Sequence, residues 1–189
     1  RRLLAHIGEA ALFAVTGSLP DGTDPALYRQ AAEIALTSGV PMVIDAVNGI
    51  APVLELPGRM VLKVNREELL RLAGADTVEN AVRNLQQRNR QLAVAVTAGA
   101  DEALFFDGEE AYRYSIPELP VVNPLGAGDT AAAVLSSALA AGVEPPEAFR
   151  RALAAASANC LSEQAGQFRP EQYRQILPLV QIRKYTGIQ

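Results

Sequence analysis

The sequence predicts an α/β fold in three layers, a mostly parallel β-sheet with helices on both faces. Three observations carry that prediction. Short apolar runs at Leu12–Thr16, Met42–Asp45, Met60–Val64 and Leu92–Thr97 have the length and β-branched content of strands buried on both sides. Segments with helical spacing of apolar residues separate several of them, the pattern of parallel strands joined by crossover helices. The chain has 189 residues, 49% apolar and 20% charged, the size and composition of one ordinary domain with a substantial core.

Taken in order, the opening RRLLAHIGEAALFAVTG sets two arginines before apolar residues, as a signal peptide does. Glu9 interrupts it and no small-residue cleavage site follows, so it reads as the tail of an amphipathic helix leading into a strand. DPALYRQAAEIALTSG has Asp24 as N-cap, Pro25 at the first helical position and Gly39 at the stop, with Leu27, Ala31, Ile34 and Ala35 on one side. REELLRLAG and TVENAVRNLQQRN supply two more helices. ALFFD-GEE-AYRYS places two β-prone runs about a glycine turn, the pattern of a hairpin. Helices then follow at Ala127–Ala141, Pro146–Leu161 and Pro170–Leu179. The first of these is apolar nearly all round, which predicts a helix in the middle of the molecule. No internal repeat, low-complexity tract or linker interrupts the chain.

Several function classes are disfavoured. The net charge is −4 and the nearest approach to a basic cluster is the pair Arg150-Arg151, which argues against binding nucleic acid. A single cysteine, Cys160, allows no internal disulfide and points to a reducing, cytoplasmic setting. Without a histidine partner, its thiol reads as a small buried hydrophobe. The single histidine, His6, leaves little basis for a Ser-His-Asp site or a His-rich metal centre. No apolar run reaches the length of about eighteen residues that crosses a bilayer, so no membrane association is expected.

The chemistry concentrates in NPLGAGDT. Gly126, Ala127 and Gly128 stand directly before Asp129 and a helix. A helix start carries unpaired N–H groups and the positive end of the macrodipole, and small residues let an anion approach them closely. Phosphoryl transfer needs such a pocket and an acceptor for the proton of the attacking hydroxyl. A Gly-rich turn and an aspartate on one rigid corner fit both needs; an acidic first-turn residue behind an ordinary turn has the same pattern.

NPLGAGDT resembles the C-terminal signature of the ribokinase-like (PfkB-type) carbohydrate kinases. Three other segments agree in the family's order: GSLPDG at Gly17–Gly22, KVNREEL at Lys63–Leu69 and VTAGADEAL at Val96–Leu104. GSLPDG and the Asn-Pro before the turn are similar to the phosphofructokinase and tagatose-6-phosphate kinase branch. The resemblance implies a Rossmann-like, ribokinase-like fold that uses ATP and Mg²⁺ to phosphorylate a hydroxyl of a sugar or sugar phosphate. Tagatose 6-phosphate, fructose 6-phosphate and fructose 1-phosphate are the substrates it suggests. It implies Asp129 as catalytic base and Gly126, Ala127 and Gly128 as anion hole. Asn65 and Glu68 would order Mg²⁺ through water, with no direct protein ligand to the metal. Thr97 and Gly99 would lie beside the nucleotide phosphates and ribose, and Asn159 near the adenine.

Bare alternatives stand beside these roles. Asn65-x-x-Glu68 is equally a helix capping box. Gly99 is equally a strand-end turn, and Asn159 a polar core residue. Asp45 ends a strand where parallel sheets face a ligand crevice, and is equally a turn carboxylate outside the site set. Two positions depart from the family pattern: Val64 replaces a proline, and Glu102 replaces a glycine of the nucleotide loop, where a carboxylate suits a triphosphate only if it points away.

Family members are longer. This chain, residues 1–189, is therefore expected to be the C-terminal nucleotide-binding and catalytic portion, without the N-terminal sugar-binding and lid segments. Sheet edges bared in this way favour association, and a homodimer is one expected form. The alternative reading is a non-catalytic nucleotide-binding module that keeps the fold. A dinucleotide-binding protein fits less well, since no G-x-G-x-x-G follows a first strand.

Overall fold

Alternate residues of a strand point to opposite sides, and in the central strands both sides are buried. Met42 and Ile44, Met60, Leu62 and Val64, and Leu92, Val94 and Val96 enter one apolar cluster. Val43, Val61, Ala93 and Ala95, the residues between them, enter the other. That double burial explains why these strands read as continuous apolar runs.

The structure is a computed structural model that describes residues 6–18, 22–24, 26–99, 102–108 and 110–186. Its elements are β1 (Phe13–Thr16), α1 (Ala26–Thr37), β2 (Met42–Asp45), α2 (Ala51–Leu54), β3 (Met60–Asn65), α3 (Arg66–Ala73) and α4 (Val78–Arg88). There follow β4 (Leu92–Thr97), β5 (Ala103–Asp107), β6 (Glu110–Ser115), α5 (Ala127–Ala140), α6 (Pro145–Asn159), α7 (Pro170–Ile176) and β7 (Gln181–Lys184). The seven strands lie in the sheet in chain order. β1 to β4 run parallel, and β5, β6 and β7 continue as an antiparallel meander.

Helices α1 to α4 supply the cluster on one face, and α5 and α6 the cluster on the other. Ala93 and Ala95 lie on the α5–α6 side, and small residues there let helices approach the sheet closely. α6 is pinned at its start by Phe149, whose ring meets Tyr114 edge-on at 5.1 Å, while Tyr114 Oη donates to Pro146 O at 2.8 Å. Arg150 holds the chain beyond it, donating to Leu177 O and Val180 O at 2.9 Å each. These anchors matter because the far end of α6 builds part of the site.

The expected α/β architecture, its four parallel strands and its hairpin are all present. Asp24 caps α1 as expected, accepting from Ala26 N–H at 2.9 Å. Pro25, residues 1–5 and the Leu19–Asp21 portion of GSLPDG lie outside the described residues. Several features differ from expectation. α5 is not surrounded: Thr130, Ala131, Leu135 and Ala138 are buried, whereas Ala133, Ser137 and Ala140 face solvent, because alanine is tolerated on either side. The expected helix to Leu179 ends at Ile176 and tightens into a 3₁₀ turn, Leu177–Leu179. Finally, β7 was not anticipated. All of its residues are exposed, so no apolar alternation marks it, and backbone pairing with β6 alone defines it.

Candidate active site

The carboxyl ends of β2, β3 and β4 bring Asp45, Asn65 and Thr97 to one edge of the sheet, with Asn65 directly beside Thr97 in register. Parallel sheets characteristically open their ligand crevice at this edge. Two helices start there, α3 from the end of β3 and α5 on the other face.

α5 begins at Gly126, which is left-handed at φ 79° and ψ 1° and makes no side-chain cap. A Cβ on Gly126 would sit 2.6 Å from Gly166 N, so the position needs glycine both for its φ and for the loop packed on it. The backbone bonds of the turn run from Ala127 N–H to Pro124 O at 3.2 Å and from Thr130 N–H to Gly126 O at 2.9 Å. Gly128 and Asp129 thus keep the unpaired N–H groups of a helix start. Ala127 departs from its expected part, because its N–H is already engaged. The Asp129 side chain lies in the first turn, exposed.

A pair that sequence reasoning does not join, Lys63 with Asp45, sits beneath the turn. Lys63 lies on the same side of β3 as Val61, and so points toward α5. Its ammonium donates to both Asp45 carboxylate oxygens at 3.0 Å and lies 3.3 Å from where a Cβ on Gly128 would be. Only 5% of Lys63 is exposed. Burial pushes the Asp45 carboxyl above its ordinary range, against the pull of Lys63, and the nearby Glu68 and Asp129 push it further the same way. A buried Lys63–Asp45 ion pair therefore lies beside an N–H-rich turn. The signal available in sequence was a lysine inside the otherwise apolar strand MVLKVN.

Beside the turn lies a cavity of about 610 Å³ lined by Thr97, Gly99, Ala127, Gly128 and, from α6, Ser157 and Cys160, with the Ile116–Leu119 strap across it. Thr97 and Gly99 thus share one cavity wall with the Ala127–Gly128 turn. Gly99 is left-handed at φ 64°. Cys160 is half-buried in the cavity wall, and burial raises the pKa of its thiol. Glu102 is held away by an ion pair with Arg113 at 3.2 Å, and that guanidinium stacks over the Tyr185 ring.

Asn159 is a correction. It does not line the cavity; it is fully buried, accepts from Thr130 Oγ1 at 3.3 Å and donates to Leu125 O at 3.0 Å. Its amide is spent on the turn and not on an adenine ring. Asn65 and Glu68 form a complete capping box: Glu68 N–H donates to Asn65 Oδ1 at 2.9 Å, and Asn65 N–H to Glu68 Oε2 at 2.8 Å. That leaves Glu68 Oε1, with the Asp129 carboxylate, as free oxygen acceptors. They suit a magnesium ion that keeps its waters. Among the described residues no group of three or more His, Cys, Asp or Glu is placed to hold a metal directly.

A second cavity, about 430 Å³, lies at the other end of the strands around Pro41, Met60 and Gly142, away from all these residues. Among the described residues no helix is long and apolar enough to cross a membrane.

A family model described as pfkB family carbohydrate kinase matches residues 2–172. Among solved structures, the chain is similar to a Staphylococcus aureus protein described as a candidate phosphofructokinase, at 25% identity and TM-score 0.82, over 97% of this chain and 62% of that one. It is similar to an Arabidopsis thaliana ribokinase complexed with ribose and ATP, at 26% identity and TM-score 0.74, over 92% of this chain and 58% of that one. The fold is also that of Escherichia coli phosphofructokinase-2, at 24% identity and TM-score 0.81, over 95% of this chain and 61% of that one. The chain therefore spans about three fifths of the length of these relatives.

Proposed function

Because this chain belongs to the pfkB family of carbohydrate kinases, we propose that it holds the nucleotide site and base of an ATP-dependent transfer to a ketohexose phosphate. Tagatose 6-phosphate, fructose 6-phosphate and fructose 1-phosphate are the acceptors it would take. The observation that carries this reading is the uncapped turn at Gly126–Asp129, with unpaired N–H groups, an exposed carboxylate and a buried ammonium around one corner of a 610 Å³ cavity.

The nucleotide occupies the cavity, its triphosphate running past Thr97 and Gly99 toward the turn. The Asp129 carboxylate accepts the proton of the attacking sugar hydroxyl as the new O–P bond forms and the bond to the departing ADP oxygen breaks. The N–H groups of Gly126, Gly128 and Asp129 face the charge that develops on the transferred group, and Lys63 adds positive charge from below. Mg²⁺, when bound, neutralises phosphate charge. Glu68 Oε1 and Asp129 would hold its waters.

The alternative is a nucleotide-binding module of the same fold without turnover. ADP release with Mg-ATP and a panel of ketohexose phosphates, for this chain and for Asp129→Asn, separates the two. Sugar-dependent release lost in the variant supports the kinase. Nucleotide binding with no release under any sugar supports the module.

A further inference from the structure

The carbonyl of Leu125 is the acceptor that a helix continuing backward would offer to Asp129 N–H, four residues on. In the structure no backbone bond joins them, and Leu125 O instead accepts from Asn159 Nδ2 at 3.0 Å. Asn159 is the last residue of α6 and is fully buried, so its amide is held in place by packing. Its other atom, Oδ1, accepts from Thr130 Oγ1 at 3.3 Å, which fixes the amide with its N–H₂ toward Leu125.

We infer that Asn159 is a positioning residue for phosphoryl transfer, one that captures the Leu125 carbonyl and thereby keeps the Asp129 and Gly126 N–H groups free for a phosphoryl anion. The inference rests on the proposed kinase reaction. Two physical steps support it. In a trans peptide the C=O and N–H point opposite ways, so holding Leu125 O toward α6 turns Gly126 N–H away from it. Withholding Leu125 O from Asp129 also stops α5 from winding back over its own anion site, which would spend a donor that the reaction uses. The same helix end lines the nucleotide cavity through Ser157 and Cys160, and Cys160 O accepts from Val122 N–H at 2.8 Å. Asn123 ties the segment down again, accepting from Leu125 N–H and donating to Glu163 O, each at 2.9 Å. These bonds tie the cavity wall to the turn.

The test is residue-resolved amide hydrogen exchange by NMR on this chain, which needs neither nucleotide nor sugar. In the native protein Asp129 N–H exchanges near its intrinsic rate, while Leu135 N–H in mid-helix is protected. In Asn159→Leu, Leu125 O is released and Asp129 N–H becomes protected by about tenfold or more, the sign of a new helix bond. Thr130→Val removes only the bond to Oδ1 and leaves Asp129 exchange unchanged. A native Asp129 amide as protected as Leu135 overturns the inference without any variant, and so does unchanged Asp129 exchange in a folded Asn159→Leu. In turnover, Asn159→Leu lowers kcat by about tenfold to a hundredfold, while KM for Mg-ATP stays within about twofold. Equal losses in both overturn the positioning role. Absence of turnover in the native chain defeats the kinase reading instead, and leaves the exchange result to decide the capture of Leu125.

Discussion

Helices α3 and α5 begin at the same edge of the sheet, on opposite faces, and meet the same physical problem in opposite ways. Each starts with N–H groups that have no partner within the helix. α3 satisfies its own: Asn65 and Glu68 close a reciprocal capping box, and Glu67 adds a second acidic residue in the first turn. α5 leaves the Gly128 and Asp129 N–H groups open and bonds only Ala127 and Thr130, to Pro124 O and Gly126 O. Gly126 offers no side chain, Leu125 O is bonded to Asn159, and Lys63 rests against Gly128. The open N–H groups of α5 face solvent, where water or an anion can complete them. On the proposed reading, the self-capped helix contributes stability and the uncapped one the site.

The largest effect expected from breaking this contrast is at Asp129. Asp129→Asn keeps the turn and its N–H groups but removes the proton acceptor. Sugar-dependent ADP release should fall by about 10²–10⁴-fold, with the melting temperature essentially unchanged. A variant that retained turnover would move the base elsewhere.

Lys63→Met comes next, because it strips the buried cation from Asp45. Removing one partner of a buried pair costs about 3 kcal/mol. The cost depends on pH. Asp45 already has a folded-state pKa above its ordinary value, and losing Lys63 raises it further. A carboxyl with a raised folded pKa loses stability as pH climbs from the unfolded value through the folded one. The variant should therefore be close to native stability in acid, where Asp45 is protonated, and clearly weaker at neutral pH. Urea denaturation across that range checks both the size and the sign.

Gly126→Ala should cost about 1–3 kcal/mol, from a left-handed φ and a Cβ forced to 2.6 Å from backbone. Gly128→Ala sharpens the comparison. Its Cβ meets only the end of a flexible lysine at 3.3 Å, so the fold should survive while nucleotide affinity drops as the ammonium shifts.

What could be read from sequence follows the range of the interactions. The turn, Asp129 and the Asn65–Glu68 box are local patterns within four residues, and their neighbours in sequence are their neighbours in space. The parallel strands were legible because both faces are buried. Lys63 and Asp45 form one unit across 18 positions, and Asn159 reaches Leu125 across 34. No spacing rule joins such residues; only the sheet register and the packing of α6 do. Asn159 bonds to Leu125 and Thr130 and not to a residue its sequence neighbours suggest, since a buried amide's partner is decided by packing.

The smallest effects lie in α3, where a single motif is asked to cap a helix and to order a metal's waters. Asn65→Ala should cost about 1 kcal/mol by removing the acceptor for Glu68 N–H, and Asn65→Asp should restore it, because aspartate caps as well as asparagine. Glu68→Gln separates the two duties. Glutamine accepts from the Asn65 N–H as glutamate does, so the box persists and unfolding free energy should move by only about 0.3 kcal/mol. The charge on Oε1 is gone, however, and the Mg²⁺ concentration giving half-maximal ADP release should rise. Stability that falls with Glu68→Gln while the Mg²⁺ dependence stays put would make this motif a cap alone, and would leave metal ordering to Asp129 and the phosphates.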